Sequence, residues 1–259
     1  MQSGWRVGAI FGIPLIVDNS WFFILLLMTF AYGEDLLSEG FPLPVAGGVG
    51  LAMALLLFGS VLLHELGHSL VARRQGIQVN SITLFLFGGL ASIDKESKTP
   101  GQAFQVAIAG PLVSFLLFLS LWLLGRTLPN QSLMAQSVGT IAQLNLVLTL
   151  FNLIPGLPLD GGQVLKALVW KMTGSRAQGV RWAARVGQML GWTAITVGIY
   201  FALTTQQTIG FLLLALLGWF AVRNAGAYNR VSDLQDAITS LRARDASVSE
   251  FKVIDANLT

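Results

Sequence analysis

The chain of 259 residues contains no cysteine. Disulfides, iron–sulfur clusters and thiolate metal ligands are therefore excluded, and any metal must be held by nitrogen and oxygen. Histidine is almost as scarce, with only His64 and His68 present. Charged residues make up 11% of the chain against 54% hydrophobic, and the mean hydropathy is +0.67. Soluble domains are about one-quarter charged, so this is the composition of an integral membrane protein. Lys and Arg gather in loop clusters rather than along a soluble face, which argues against a nucleic-acid partner. Carboxylates leave a long gap, since Asp160 is the one acidic residue between Glu96 and Asp233. The N-terminal stretch has no A-x-A-like cleavage site and reads as retained.

Long apolar runs dominate what is present. At about 20 residues per crossing, the chain has room for about six spanning helices. They are expected near 20–37, 45–73, 102–124, 138–153, 184–203 and 209–222, with Gly110-Pro111 kinking the third. Residues 1–19 read as an amphipathic lead-in in which Gly12-Ile13-Pro14 forms a turn or an edge-strand element. Residues 77–93 are rich in β-branched and aromatic side chains and too short to span as a helix. They read as a re-entrant hairpin or loop, tolerated at membrane depth where protein or a water-filled cavity covers it. An interfacial connector is the competing reading.

The expected fold class is therefore an all-α polytopic membrane protein of about six transmembrane helices with a small membrane-embedded β-hairpin or re-entrant loop. Residues 1–222 form the six-span domain and 223–259 a polar cytoplasmic tail. With the N-terminus inside, fifteen of the sixteen Lys and Arg fall on one side, and only Arg126 on the other. Positive residues collect in cytoplasmic loops, which predicts a multi-pass protein of the cell membrane with both termini cytoplasmic.

Both histidines lie in the second apolar run, as His64-Glu65-Leu66-Gly67-His68. Positions i and i+4 share one face of a helix, so the two imidazoles can reach one ion. Glu65 stands about 100° round the helix, placed to hold a water without being a ligand. This H-E-x-x-H spacing is that of zinc metallopeptidases. Ionisable groups inside hydrocarbon are costly and usually mark function, which sets this reading against a structural histidine pair or a chance motif. From His64 to Arg73 is nine residues, roughly 13 Å of helix, so the site lies inside the bilayer toward the basic end.

Zinc needs a third protein ligand and an open fourth position. The fourth span ends in Asn152-Leu153-Ile154-Pro155-Gly156-Leu157-Pro158-Leu159-Asp160-Gly161-Gly162, where two prolines and three glycines forbid a continuous helix. Asp160 could simply cap the helix that follows, from Gly161 through Met172. If the third ligand is a carboxylate, Asp160 is the best-placed candidate, because the other acids lie on other segments.

The His64 to His68 motif, Gly88-Gly89, Ala109-Gly110-Pro111, and Asn152 to Gly162 resemble, in order and spacing, the site-2 protease family of intramembrane zinc metalloproteases. The resemblance covers roughly residues 5–222. It implies His64, His68 and Asp160 as ligands of one Zn2+ per chain, and Glu65 as the general base that activates a zinc-bound water. Asn152 looks like the family's asparagine that holds the substrate or the developing oxyanion. The 77–93 segment, with Gly88 and Gly89, is similar to the β element that pairs with an unwound substrate.

The implied reaction is hydrolysis of peptide bonds in a transmembrane protein or peptide, within the lipid bilayer. The branch resembled lacks an inserted PDZ domain and often carries CBS domains, and residues 246–259 are similar to the first strand of one. A metal carrier is the rival reading, but it would show internal repeats, and none is found. A pseudoprotease would lack a ligand or the base, and all four groups are present.

Overall fold

A computed structural model describes residues 4–86, 88–94, 97–129, 132–205 and 208–240. The elements run β1 (Gly4–Ile10), β2 (Ile13–Asp18), α1 (Asn19–Ser38), α2 (Leu43–Arg74), β3 (Val79–Phe85), β4 (Gly88–Ile93), α3 (Pro100–Gly125), α4 (Leu133–Asn152), α5 (Asp160–Thr173), α6 (Arg176–Thr204) and α7 (Thr208–Ser240). Six of these helices, all but α5, are long and apolar enough to cross a membrane. The starts of four are set by side chains: Asp18, Thr99, Ser132 and Ser175 accept hydrogen bonds from the backbone N–H of Ser20, Gln102, Ala135 and Gln178. Such caps satisfy donors that a first helical turn leaves unpaired.

The 32 residues of α2 extend roughly 48 Å, more than the hydrocarbon thickness of about 30 Å. Its surplus carries Arg73 and Arg74 in the last turn. α3 continues on both sides of Pro111.

The β structure is larger than a hairpin. Four strands form one sheet in the order β1-β2-β3-β4, with β1–β2 and β3–β4 antiparallel and β2–β3 parallel. The lead-in is thus a hairpin whose second strand lies inside the sheet rather than at its edge. Pro14 is compatible with that place because it pairs with Ala9, while the pairing to β3 starts at Leu15. Its missing N–H falls outside the β2–β3 ladder. The parallel join is available because α1 and α2 together carry the chain out and back.

The sheet packs on the second half of α2. Ile13, Leu66, Ala72, Ile77, Val79 and Ile82 form its buried cluster, with Leu62 and Val106 against it. This core fixes β4 beside the motif helix.

One expected boundary moves. α6 begins at Arg176 rather than near 184, so Arg176, Arg181 and Arg185 lie on the first turns of the fifth span. α7 continues without a break past Arg223 to Ser240, so no helix end marks the 222/223 boundary. The expected CBS-like strand at 246–259 lies outside the described residues.

Candidate metal centre

His64 and His68 stand one turn apart on α2 and are 3% and 8% exposed. Their Nε2 atoms lie 3.2 Å apart. Asp160 Oδ2 completes a triangle, 3.0 Å from His64 Nε2 and 3.3 Å from His68 Nε2. The three residues form a group able to hold a metal ion. Asp160 is not a cap: the N-cap of α5 is Leu159, without a side-chain bond, and the Asp160 carboxylate faces the histidines instead.

The far sides of both rings are tied down. His68 Nδ1 donates to the Val106 carbonyl at 2.7 Å, and His64 Nδ1 meets the Ser114 hydroxyl at 2.9 Å. A ring nitrogen that donates to a carbonyl carries the proton, so the neutral His68 ring presents a lone pair at Nε2. Outer partners of this kind orient histidine ligands and are a regular part of metal sites.

The donor set fits zinc. Two imidazole nitrogens and one carboxylate oxygen are the donors left to a chain without cysteine. Donors around a tetrahedral zinc with bonds of about 2.0–2.1 Å stand roughly 3.3 Å apart, which matches the triangle. Lone pairs and a carboxylate this close repel one another unless a proton or a metal cation lies between them. The backbone leaves room as well. Gly110 of α3 faces the donors, and a Cβ there would run into His68 Nε2 and lie 2.6 Å from His64 Nε2. Only a residue without a side chain keeps the space in front of both nitrogens open.

Glu65 stands apart from the donors, against β4. A Cβ on Gly89 would lie 3.1 Å from Glu65 Cδ and 3.2 Å from its Oε1. The Ala91 backbone N–H also faces this carboxylate. Strand β4 therefore forms one wall of the centre and holds the Glu65 carboxylate beside the donors.

A cavity of about 620 Å³ opens over the centre. Asn152, the last residue of α4, lines it, as do Gly88 and Gly89 at the start of β4. All seven residues singled out from the sequence thus meet around one space: His64, Glu65, His68, Gly88, Gly89, Asn152 and Asp160.

Sequence reasoning missed the supports. Val106, Gly110 and Ser114 follow one another at i, i+4 and i+8 on α3, so one face of that helix supplies a carbonyl, a gap and a hydroxyl. The fully buried Asn145 of α4 donates to the Ser60 hydroxyl of α2 at 3.0 Å. Single polar residues inside apolar runs were the available signal, because such groups in hydrocarbon need a partner.

Comparison with known proteins identifies the family. The model of peptidase family M50 matches residues 52–138 and 129–194. A candidate zinc metalloprotease of Synechocystis sp. is 50% identical over 100% of this chain and 68% of its own length. The candidate zinc metalloprotease Rip3 of Mycobacterium tuberculosis is 34% identical over 96% of this chain and 65% of its own. Among solved structures, the site-2 protease from Methanocaldococcus jannaschii superimposes with a TM-score of 0.60 at 29% identity, covering 87% of this chain and 95% of that one. A family match over more than half of the chain, a relative aligned along all of it, and a shared fold lead to one conclusion: the chain belongs to peptidase family M50, the multi-pass membrane zinc metalloproteases of the site-2 type.

Proposed function

We propose that the chain hydrolyses peptide bonds of membrane-spanning proteins or peptides at this centre, with His64, His68 and Asp160 holding one zinc ion. The observation that carries the assignment is the convergence of three donors within 3.3 Å, beside a carboxylate held apart from them. When bound, zinc supplies Lewis-acid polarisation and lowers the pKa of water toward about 7.

The chain's own residues do the rest. Glu65 takes a proton from the attacking water and passes it to the leaving amine. Asn152 donates its amide N–H to the substrate oxygen as negative charge builds there. A helical substrate shields its peptide bonds, so it must be extended first. Among the described residues β4 ends the sheet order, and its outer edge, entered at Gly88 and Gly89, can take an added strand.

Metal analysis of detergent-purified protein tests the ligand set. About one zinc per wild-type chain is expected from a three-residue donor set, with marked loss in His64→Ala and Asp160→Ala. Zinc retained in Asp160→Ala would move the third ligand elsewhere.

The same reading places the protein in the cell membrane with both termini cytoplasmic, supported by the fifteen-to-one distribution of Lys and Arg. Because the chain has no cysteine, single-cysteine variants report sidedness without background. A membrane-impermeant maleimide on intact cells should label Thr127→Cys and spare Gly101→Cys. We take residues 1–222 as the proteolytic domain and 223–259 as its tail.

A further inference from the structure

The cavity over the metal centre does not end at the donors. α5 starts at Asp160 and sends Gln163, Lys166 and Trp170 along the same cavity wall at helical spacing. Lys166 is half-buried, and α6 lies directly on it at Gly179, where a Cβ would meet the Lys166 carbonyl oxygen at 2.5 Å and its Cγ at 3.3 Å. The stem of the lysine is thus confined on one side by α6, while the residue borders the open space on the other.

Among the described residues, neither of the two salt bridges reaches Lys166. Burial pushes its ammonium down, to about 8, and among the described residues no carboxylate opposes the shift. A cation held in a partly dry cavity without a counter-charge is costly, and an anion brought by a ligand removes that cost. Lys166 is neither a donor of the metal centre nor the general base.

We propose that Lys166 is a specificity residue that binds a side-chain carboxylate, Asp or Glu, of the extended substrate. The inference rests on the proteolytic reading. Lys166 stands six positions after Asp160, roughly 9 Å along α5. An extended peptide advances about 3.3 Å per residue, so the carboxylate lies about three residues from the cleaved bond, on the side toward the basic end of the protein.

The test uses purified full-length chain in proteoliposomes, loaded with zinc. Its probes are single-span peptides carrying Asp, Asn or Lys at each position flanking the cleaved bond. Wild type should favour Asp over Asn about tenfold in kcat/KM at one position and little at the others, the scale of one charge-assisted hydrogen bond. Lys166→Ala should bring that ratio close to one, and Lys166→Glu should invert it in favour of Lys. The inverted preference separates recognition from a folding role, because a merely damaged protein cannot gain activity on the Lys peptide. Equal Asp and Asn rates in wild type, or an unchanged ratio in both variants, would overturn the inference while leaving the proteolytic reading intact. Failure of zinc-loaded wild type to cut any peptide would overturn both.

Discussion

Around His64 the helices are joined by polar side chains, whereas α6 and α7 meet through glycine. In the first region α2 reaches α3 through His64 and Ser114, α4 through Ser60 and Asn145, and α5 through both histidines and Asp160. In the second, Gly191 and Gly218 face each other. A Cβ on Gly191 would lie 2.7 Å from the Gly218 carbonyl oxygen, and one on Gly198 would lie 2.6 Å from that of Phe211. Lipid tails are as apolar as leucine, so neither region can rely on the hydrophobic effect to bring helices together. Packing of small residues brings backbones close but leaves them free to slide. Directional hydrogen bonds fix them to tenths of an ångström, which three donors converging on one ion require.

If that division is right, damage to the polar groups at the donors and their rings should fall on chemistry and metal, and damage to helix contacts away from them, glycine contacts above all, on stability. The largest effect is expected for Glu65→Gln, which should lower peptide cleavage roughly 10²- to 10⁴-fold while zinc content stays at the wild-type level. Loss of zinc in this variant would make Glu65 a ligand and dissolve the separation drawn between base and donors. Ser114→Ala comes next. It leaves the donors in place but frees the far side of the His64 ring, and zinc affinity measured by chelator competition should fall about 10- to 100-fold. Gly110→Ala acts on the same readout by filling the space in front of the donors, and should be at least as severe as Ser114→Ala.

Gly191→Val probes the other region. The added side chain forces α6 and α7 apart, and thermal unfolding in detergent should register a destabilisation of about 1–3 kcal/mol, typical of overpacking. Zinc affinity of the folded fraction should not change. A parallel loss of zinc would mean that the glycine contacts also position the centre. The smallest effect is expected for Asn145→Ala. Hydrogen bonds between membrane helices contribute about 0.6 kcal/mol on average, so a slight drop in unfolding temperature with near-normal zinc binding is the expected result.

Much of this molecule is legible without coordinates because the signals are local. Apolar runs of span length follow from how each segment partitions between water and lipid, and all six appear as helices. The pairing of His64 with His68 follows from the pitch of one helix. Other features depend on which segments meet. β2 joins β3 only because the intervening helices return the chain to the same end, and nothing within residues 1–19 encodes that partner. Asp160 is the clearest case. Its local surroundings suited a cap and a ligand equally, and a contact spanning 96 residues turns its carboxylate to His64. The face of α3 formed by Val106, Gly110 and Ser114 became visible only when it lay against the two imidazoles. Composition and periodicity determined a six-span membrane protein with a metal-binding helix, since both act over one or two turns. Tertiary packing alone decided the meeting of Asp160 with the two imidazoles, the wall behind Glu65 and the supports of both rings, since each arises between residues that the chain keeps far apart.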